Sequence, residues 1–303
     1  MNQIIATYNL SKRYGDTYGV KDVNLSVSEG DIYGFLGPNG AGKSTTLKMI
    51  LGLSRPTSGM VTVFDKEFES NRNFILSQTG SLIESPSYYG HLTGLENMRV
   101  VQRLREVPDK NVLEALKIVR LEKHKDKKVS KYSLGMKQRL GIAMALISFP
   151  KLLILDEPTN GLDPAGIEEI RELIKSLPER YGMTVLISSH LLSEIEQIAT
   201  TVGIINNGVM IFQGSIEKLK SKSSPSIMIK TGDNILAHRV LRAKGFSLVR
   251  NDDFLVFEGL TDENIAQVNR TLVESNIDVL RILEHKKNLE RIFLDITGKE
   301  SSL

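Results

Sequence analysis

Cysteine is absent from the 303 residues, which excludes disulfides and thiolate metal sites. Charge of one sign is also scarce: the formal net charge is +3, too small a surplus to argue for a nucleic-acid partner by itself. No long hydrophobic run occurs. The most apolar stretch, near "GIAMALISF" (141–149), is about half the ~20 residues that span a bilayer. The opening "MNQIIATYNLSKRYG" carries no apolar core of signal-peptide length. These absences point to a cytoplasmic chain with no direct membrane insertion, reaching a membrane only through a partner. What is present is ordinary for a globular protein: 41% hydrophobic and 25% charged residues, enough for a core in one large domain or two smaller ones.

The hydrophobic pattern changes character along the chain. "IIATYNL" (4–10), "VNLSVSEGDIYGFLG" (23–37) and "MVTVFD" (60–65) have β composition, with "EGD" (29–31) expected as a hairpin turn. Residues 90–150 turn to helical spacing; Leu140, Ala143, Met144 and Ile147 fall at i, i+3, i+4 and i+7. "KLLILDEP" (151–158) is a continuous apolar run ending in acids, the pattern of a buried parallel strand. Alternating helices and strands follow to about residue 214, which predicts an α/β core. "KSKSSPS" (220–226) is a polar, proline-containing junction that predicts a boundary between residues 1–222 and 223–303. Beyond it the order strand, helix, strand, strand, helix, strand is the split βαβ pattern, with a last helix over 287–296.

Gly37-x-x-x-x-Gly42-Lys43-Ser44 has the P-loop spacing, between an apolar strand and a helical pattern. Gly37, Gly40 and Gly42 let the backbone curl with its amides inward. Those amides and the positive end of the following helix suit phosphates. Lys43 adds a mobile charge for the terminal phosphates, and the Ser44 hydroxyl suits Mg²⁺. Asp156 and Glu157 stand where the strand "LLILDEP" opens to solvent. An acid there can hold Mg²⁺ through water, and its neighbour can serve as general base on an attacking water.

With these motifs the chain, over residues 1 to about 220, resembles the ATP-hydrolysing subunit of ABC transporters. The family's motifs occur in order: "KRYG", "GPNGAGKST", "YSLGMKQR", "LLILDEP", "NGLD" and "SSH". The resemblance implies an α/β P-loop NTPase of ABC ATPase type, with a mixed sheet core, a helical subdomain over about 88–150 and a small C-terminal α+β, ferredoxin-like domain. It implies that Tyr14 stacks on adenine and that Gly37, Asn39, Gly40, Ala41, Gly42, Lys43, Ser44 and Thr45 bind the nucleotide. Ser133, read from its position as a helix N-cap, and Gly135 would reach the γ-phosphate of ATP held by another copy. Asp163 would order the facing site, and His190 would sense phosphate beside the catalytic Glu157 and Lys43. ATP and Mg²⁺ are the implied cofactors. A homodimer and a separate transmembrane permease are the implied partners, which would place the chain at the inner face of the membrane.

Two departures stand out. Leu134 replaces the signature's usual first glycine. Glu84, in "GSLIESP" (80–86), occupies the place of a glutamine that touches Mg²⁺ in the family; a carboxylate can also ligate the metal, alongside Ser44 and Asp156. The phrases "SLIESPSYYGHLTGLENM" and "YSLGMKQRLGIAMALI" resemble the bacitracin-resistance and lantibiotic-immunity exporters and their multidrug relatives. That resemblance implies expulsion of peptide antibiotics or similar amphiphiles. A soluble ABC-type ATPase acting on ribosomes or DNA is the alternative. Such proteins carry two cassettes or a long coiled-coil insertion, and neither is present. "EKHKDKK" (122–128) mixes signs and reads as a solvated helix end. The C-terminal domain reads as regulatory or dimer-supporting, with Ile265, Val268 and Leu272 on a core face.

Overall fold

A computed structural model describes residues 2–220, 226–251 and 253–285. The helix expected over 287–296 lies outside them. The chain divides into two compact units, Met1–Ile216 and Glu217–Leu303.

In the first unit, β1 (Gln3–Tyr14), β2 (Thr17–Val23) and β3 (Ser26–Ser28) precede β4 (Ile32–Leu36) and α1 (Lys43–Ile50). Then come β5 (Ser58–Val63), β6 (Lys66–Glu67), α2 (Phe68–Ser77) and β7 (Thr79–Leu82). Three packed helices follow: α3 (Gly94–Arg105), α4 (Asp109–Ile118) and α5 (Leu134–Leu146). The rest alternates: β8 (Leu152–Asp156), α6 (Pro164–Tyr181), β9 (Thr184–Ser189), α7 (Leu192–Ile195), β10 (Thr201–Asn206) and β11 (Val209–Ser215).

These strands build two sheets. One is antiparallel, in the order β2-β1-β5-β6, with β3 also on β1. The other runs β11-β10-β4-β9-β8-β7, parallel except for the edge strand β11. β4, β8 and β9 are buried at every position, as parallel strands covered on both faces must be. One core joins the sheets through Ile5, Leu10 and Val61 on one side and Phe35, Ile154 and Leu186 on the other, with Leu47 and Met49 of α1 in the same cluster. The "EGD" turn is therefore not a hairpin: β3 pairs with β1 in one sheet while β4 lies in the other, so the turn changes layers. β7, which precedes the Glu84 loop, completes the parallel sheet's edge.

In the helical region α3 starts with a capping box. The Thr93 hydroxyl accepts from the Glu96 amide, and the Glu96 carboxylate accepts from the Thr93 amide at 2.7 Å. α5 is buried on more than one stripe: Leu140 and Ala143 are fully enclosed as the spacing predicts, but so are Ile142 and Leu146.

The second unit, after the short helix α8 (Ile216–Lys220), contains β12 (Ser226–Thr231), α9 (Asn234–Ala243), β13 (Val249–Arg250), β14 (Leu255–Glu258), α10 (Asp262–Glu274) and β15 (Val279–His285). Its antiparallel sheet runs β13-β14-β12-β15, the ferredoxin-like order for βαββαβ connectivity. Ile227, Ile229, Leu255 and Phe257 pack with Leu241, Val268 and Leu272 in a separate core, against which Ile265 rests half-buried.

Candidate functional site

Parallel strands send their C-terminal ends to one edge of a sheet, and ligands of α/β folds collect there. Here β4, β8 and β9 deliver Gly37, Glu157 and His190 to that edge.

The loop from Gly37 to Gly42 needs its glycines for two reasons. Gly40 and Gly42 lie at φ of 79° and 105°, where a side chain is strained. Gly37 lacks the room: a Cβ there would stand 2.4 Å from the Ile205 carbonyl oxygen. Among the described residues no side chain caps the start of α1 and no acid lies in its first turn, so its amides and positive end are open to an anion. Asn39 and Gly40 form the exposed tip, Ala41 is buried behind them, and Ser44 and Thr45 are half-buried in the first turn.

Lys43 is 5% exposed. Its Nζ donates to the carbonyls of Gly37 at 2.8 Å and Pro38 at 3.4 Å, and pairs with Glu157 Oε1 at 3.0 Å. The second oxygen of Glu157 meets His190 Nδ1 at 2.7 Å. Three expected residues from separate motifs thus stand in one line: lysine, carboxylate, imidazole. Glu157 occupies the left-handed region at φ 49°, and its amide is held by the Ser188 hydroxyl at 3.0 Å. The same hydroxyl donates to Asp156 Oδ1 at 2.5 Å, fixing the buried acid one residue back.

A buried brace that the sequence reading missed supports this edge. Glu194 of α7 accepts from the Thr159 hydroxyl at 2.7 Å and from the Ser189 hydroxyl at 2.9 Å. It ties the segment after Glu157 to the strand end that carries His190. The only signal in the sequence is an acid at a core-facing place between Leu192 and Ile195.

Tyr14 ends β1 and is 57% exposed, and Lys12 Nζ lies 5.5 Å from its ring centroid. A Cβ on Gly19 would come 3.0 Å from the Tyr14 ring, and one on Gly42 would come 2.7 Å from the Gly19 carbonyl. Gly19 therefore spaces Tyr14 from the cradle and puts the aromatic at its rim.

Glu84 also has a positive φ, 61°, and its carboxylate lies 2.5 Å from Lys48 Nζ. The hydrogen bond from Glu84 holds the Lys48 ammonium above the ordinary lysine range; partial burial opposes the rise, and the charges of Glu84, Asp156 and Tyr14 add to it.

Ser133 and Asp163 cap two different helices. The Ser133 hydroxyl accepts from the Met136 amide at 3.2 Å at the start of α5, and Asp163 accepts from the Gly166 amide at 3.0 Å at the start of α6. They share a cavity of about 390 Å³ with Leu134, Gly135 and Gly161. None of residues 37–45 lines that cavity. Leu134 is half exposed there and closes against Gly161.

The donor chemistry near the cradle suits a hard cation. Ser44 and Asp156 supply oxygen ligands only, beside a site shaped for phosphates that would complete the shell of Mg²⁺.

A family model described as ABC transporter matches residues 20–160. The bacitracin transport ATP-binding protein BcrA of Bacillus licheniformis is 43% identical over 304 residues, covering 98% of each chain. The chain belongs to the ATP-binding proteins of ABC transporters. The lantibiotic transport ATP-binding protein SrtF of Streptococcus pyogenes is 47% identical over 205 residues, 68% of this chain and 88% of its own. A solved dimeric ATP-binding cassette, in a post-hydrolysis state with ADP and Pi, superposes with a TM-score of 0.63 at 28% identity, covering 70% of this chain and 98% of that one. This ABC ATPase has, among the described residues, no helix long and apolar enough to cross a membrane.

Proposed function

We propose that this ABC ATPase powers a separate permease that exports membrane-active peptide antibiotics of bacitracin or lantibiotic type, or related amphiphilic drugs. The carrying observation is the end-to-end similarity to BcrA, which extends through the second unit.

In this reading ATP lies with its adenine on Tyr14 and its phosphates on the amides of residues 37–45. Lys43 turns from Glu157 to the terminal phosphates, because a triphosphate outbids one carboxylate for its charge. That turn releases a Glu157 oxygen to accept a proton from the attacking water, while His190 holds the other oxygen and orients it. Ser44 and Asp156 would hold Mg²⁺, which supplies charge neutralisation on the transferring phosphoryl group; Glu84 would join them only by leaving Lys48. Two copies close face to face, so that Ser133 and Gly135 of one complete the site built on the cradle of the other, with Asp163 ordering the junction. Hydrolysis reopens the pair, and the loop around Glu84 with helices α3–α5 passes the motion to the permease. The second unit supports or regulates this dimer. The chain itself sits at the inner face of the membrane.

Co-expression with any polytopic membrane protein encoded in a neighbouring reading frame tests this. The pair should raise the bacitracin or lantibiotic concentration that stops growth, and Glu157→Gln should abolish the gain. Protection that is unchanged by Glu157→Gln would refute the proposal.

A further inference from the structure

We infer that Lys48 is a positioning residue for the nucleotide site: it neutralises and holds Glu84, so that a carboxylate can stand beside the phosphate cradle without repelling the anion bound there. The inference rests on the reading of the cradle as an ATP site and adds a residue to it.

Lys48 lies one helical turn beyond Ser44 on α1, on the same face of that helix. Its ammonium contacts Glu84 at 2.5 Å, and the charge of Asp156 acts on it more weakly. It therefore ties helix α1, which begins in the phosphate cradle, to the loop after β7. A glutamine at position 84 would bring no charge there. Glutamate brings one negative charge next to a polyanion, and the lysine cancels it. Glu84 also holds a left-handed backbone without being glycine, a conformation that persists only where neighbours fix it. The ion pair with Lys48 is a side-chain contact that anchors this residue.

A plain surface pair is the competing account. The two side chains are 35% and 65% exposed, and such pairs add little to stability. The two accounts diverge on nucleotide binding. Calorimetric titration with ATP, in EDTA and with Mg²⁺, is compared for the full chain, Lys48→Met, Glu84→Gln, the double variant and Lys48→Arg. Charge compensation predicts that Lys48→Met weakens ATP binding about five- to tenfold in EDTA, and less with Mg²⁺, which already screens the phosphates. In the Glu84→Gln background the same change should cost less than about twofold, and Lys48→Arg should bind within about twofold of the unmodified chain. An equal loss in both backgrounds, or no loss in either, overturns the inference. Thermal unfolding of each variant separates a binding loss from a folding loss. Failure of the unmodified chain to take up ATP would instead refute the cradle reading itself.

Discussion

Lys43 and Glu157 are ion-paired at 3.0 Å across the edge of the parallel sheet, and both are largely enclosed. The residue that should grip the terminal phosphates and the residue that should activate water satisfy one another, with His190 on the far oxygen. In the proposed cycle, nucleotide parts the first two before either works.

Replacing Glu157 with glutamine keeps the shape and removes the proposed base. ATP binding should persist, with affinity equal or higher because Lys43 loses its competing charge. Turnover should fall at least about a hundredfold. Phosphate release and nucleotide titration on the same preparation check this, and rapid hydrolysis by the variant would remove Glu157 from its role.

Gly37→Ala should damage the cradle through space alone. Its Cβ would lie 2.4 Å from a main-chain oxygen that has no flexible end to move. A loss of about 2 kcal/mol or more in denaturant unfolding is expected, together with loss of ATP binding.

Ser133 separates two roles that coincide in one hydroxyl. Ser133→Ala removes the cap of α5 and should cost about 1 kcal/mol. Ser133→Asp keeps a capping oxygen but adds a negative charge where a γ-phosphate should arrive. The aspartate variant should unfold near the unmodified chain's midpoint, bind ATP as a monomer and fail to hydrolyse it.

The capping box of α3 gives a pH dependence with a definite sign. Hydrogen bonds from Thr93, first through its backbone amide and then its hydroxyl, hold the Glu96 carboxyl below its ordinary value of 4.5. A depressed folded-state value means stabilisation that is present above the unfolded pKa and lost as pH falls through the folded one. The Tm gap between the unmodified chain and Glu96→Ala should therefore be open near neutrality and close as pH drops below the carboxylate range. A gap that widens with acid would contradict the assignment.

The legible part of this molecule was local. The Gly37–Ser44 spacing, the apolar run ending in Asp156 and Glu157, and the βαββαβ order of the second unit are written in short stretches, because turn geometry and burial act on neighbours. Ser133 as a helix cap was readable for the same reason. Contacts that join distant segments were not. Lys48 meets Glu84 across 36 positions, and Thr159 meets Glu194 across 35, with no motif to announce either. The "EGD" turn misled because two apolar strands flanking a tight turn look alike whether they pair together or enter different sheets. Helix α5 misled in a smaller way: it is enclosed on several sides, so its true burial exceeds any single stripe.

The proposed working site is shared between two copies, cradle from one and signature from the other. Mixing Ser133→Asp chains with Glu157→Gln chains tests it most directly. Each variant alone should be inactive, but a mixed pair contains one site with an intact cradle and an intact signature. Hydrolysis should return on mixing, to roughly a quarter of the unmodified rate if pairing is random. A mixture no more active than its separate components, in preparations that still bind ATP, would rule out a site shared between copies.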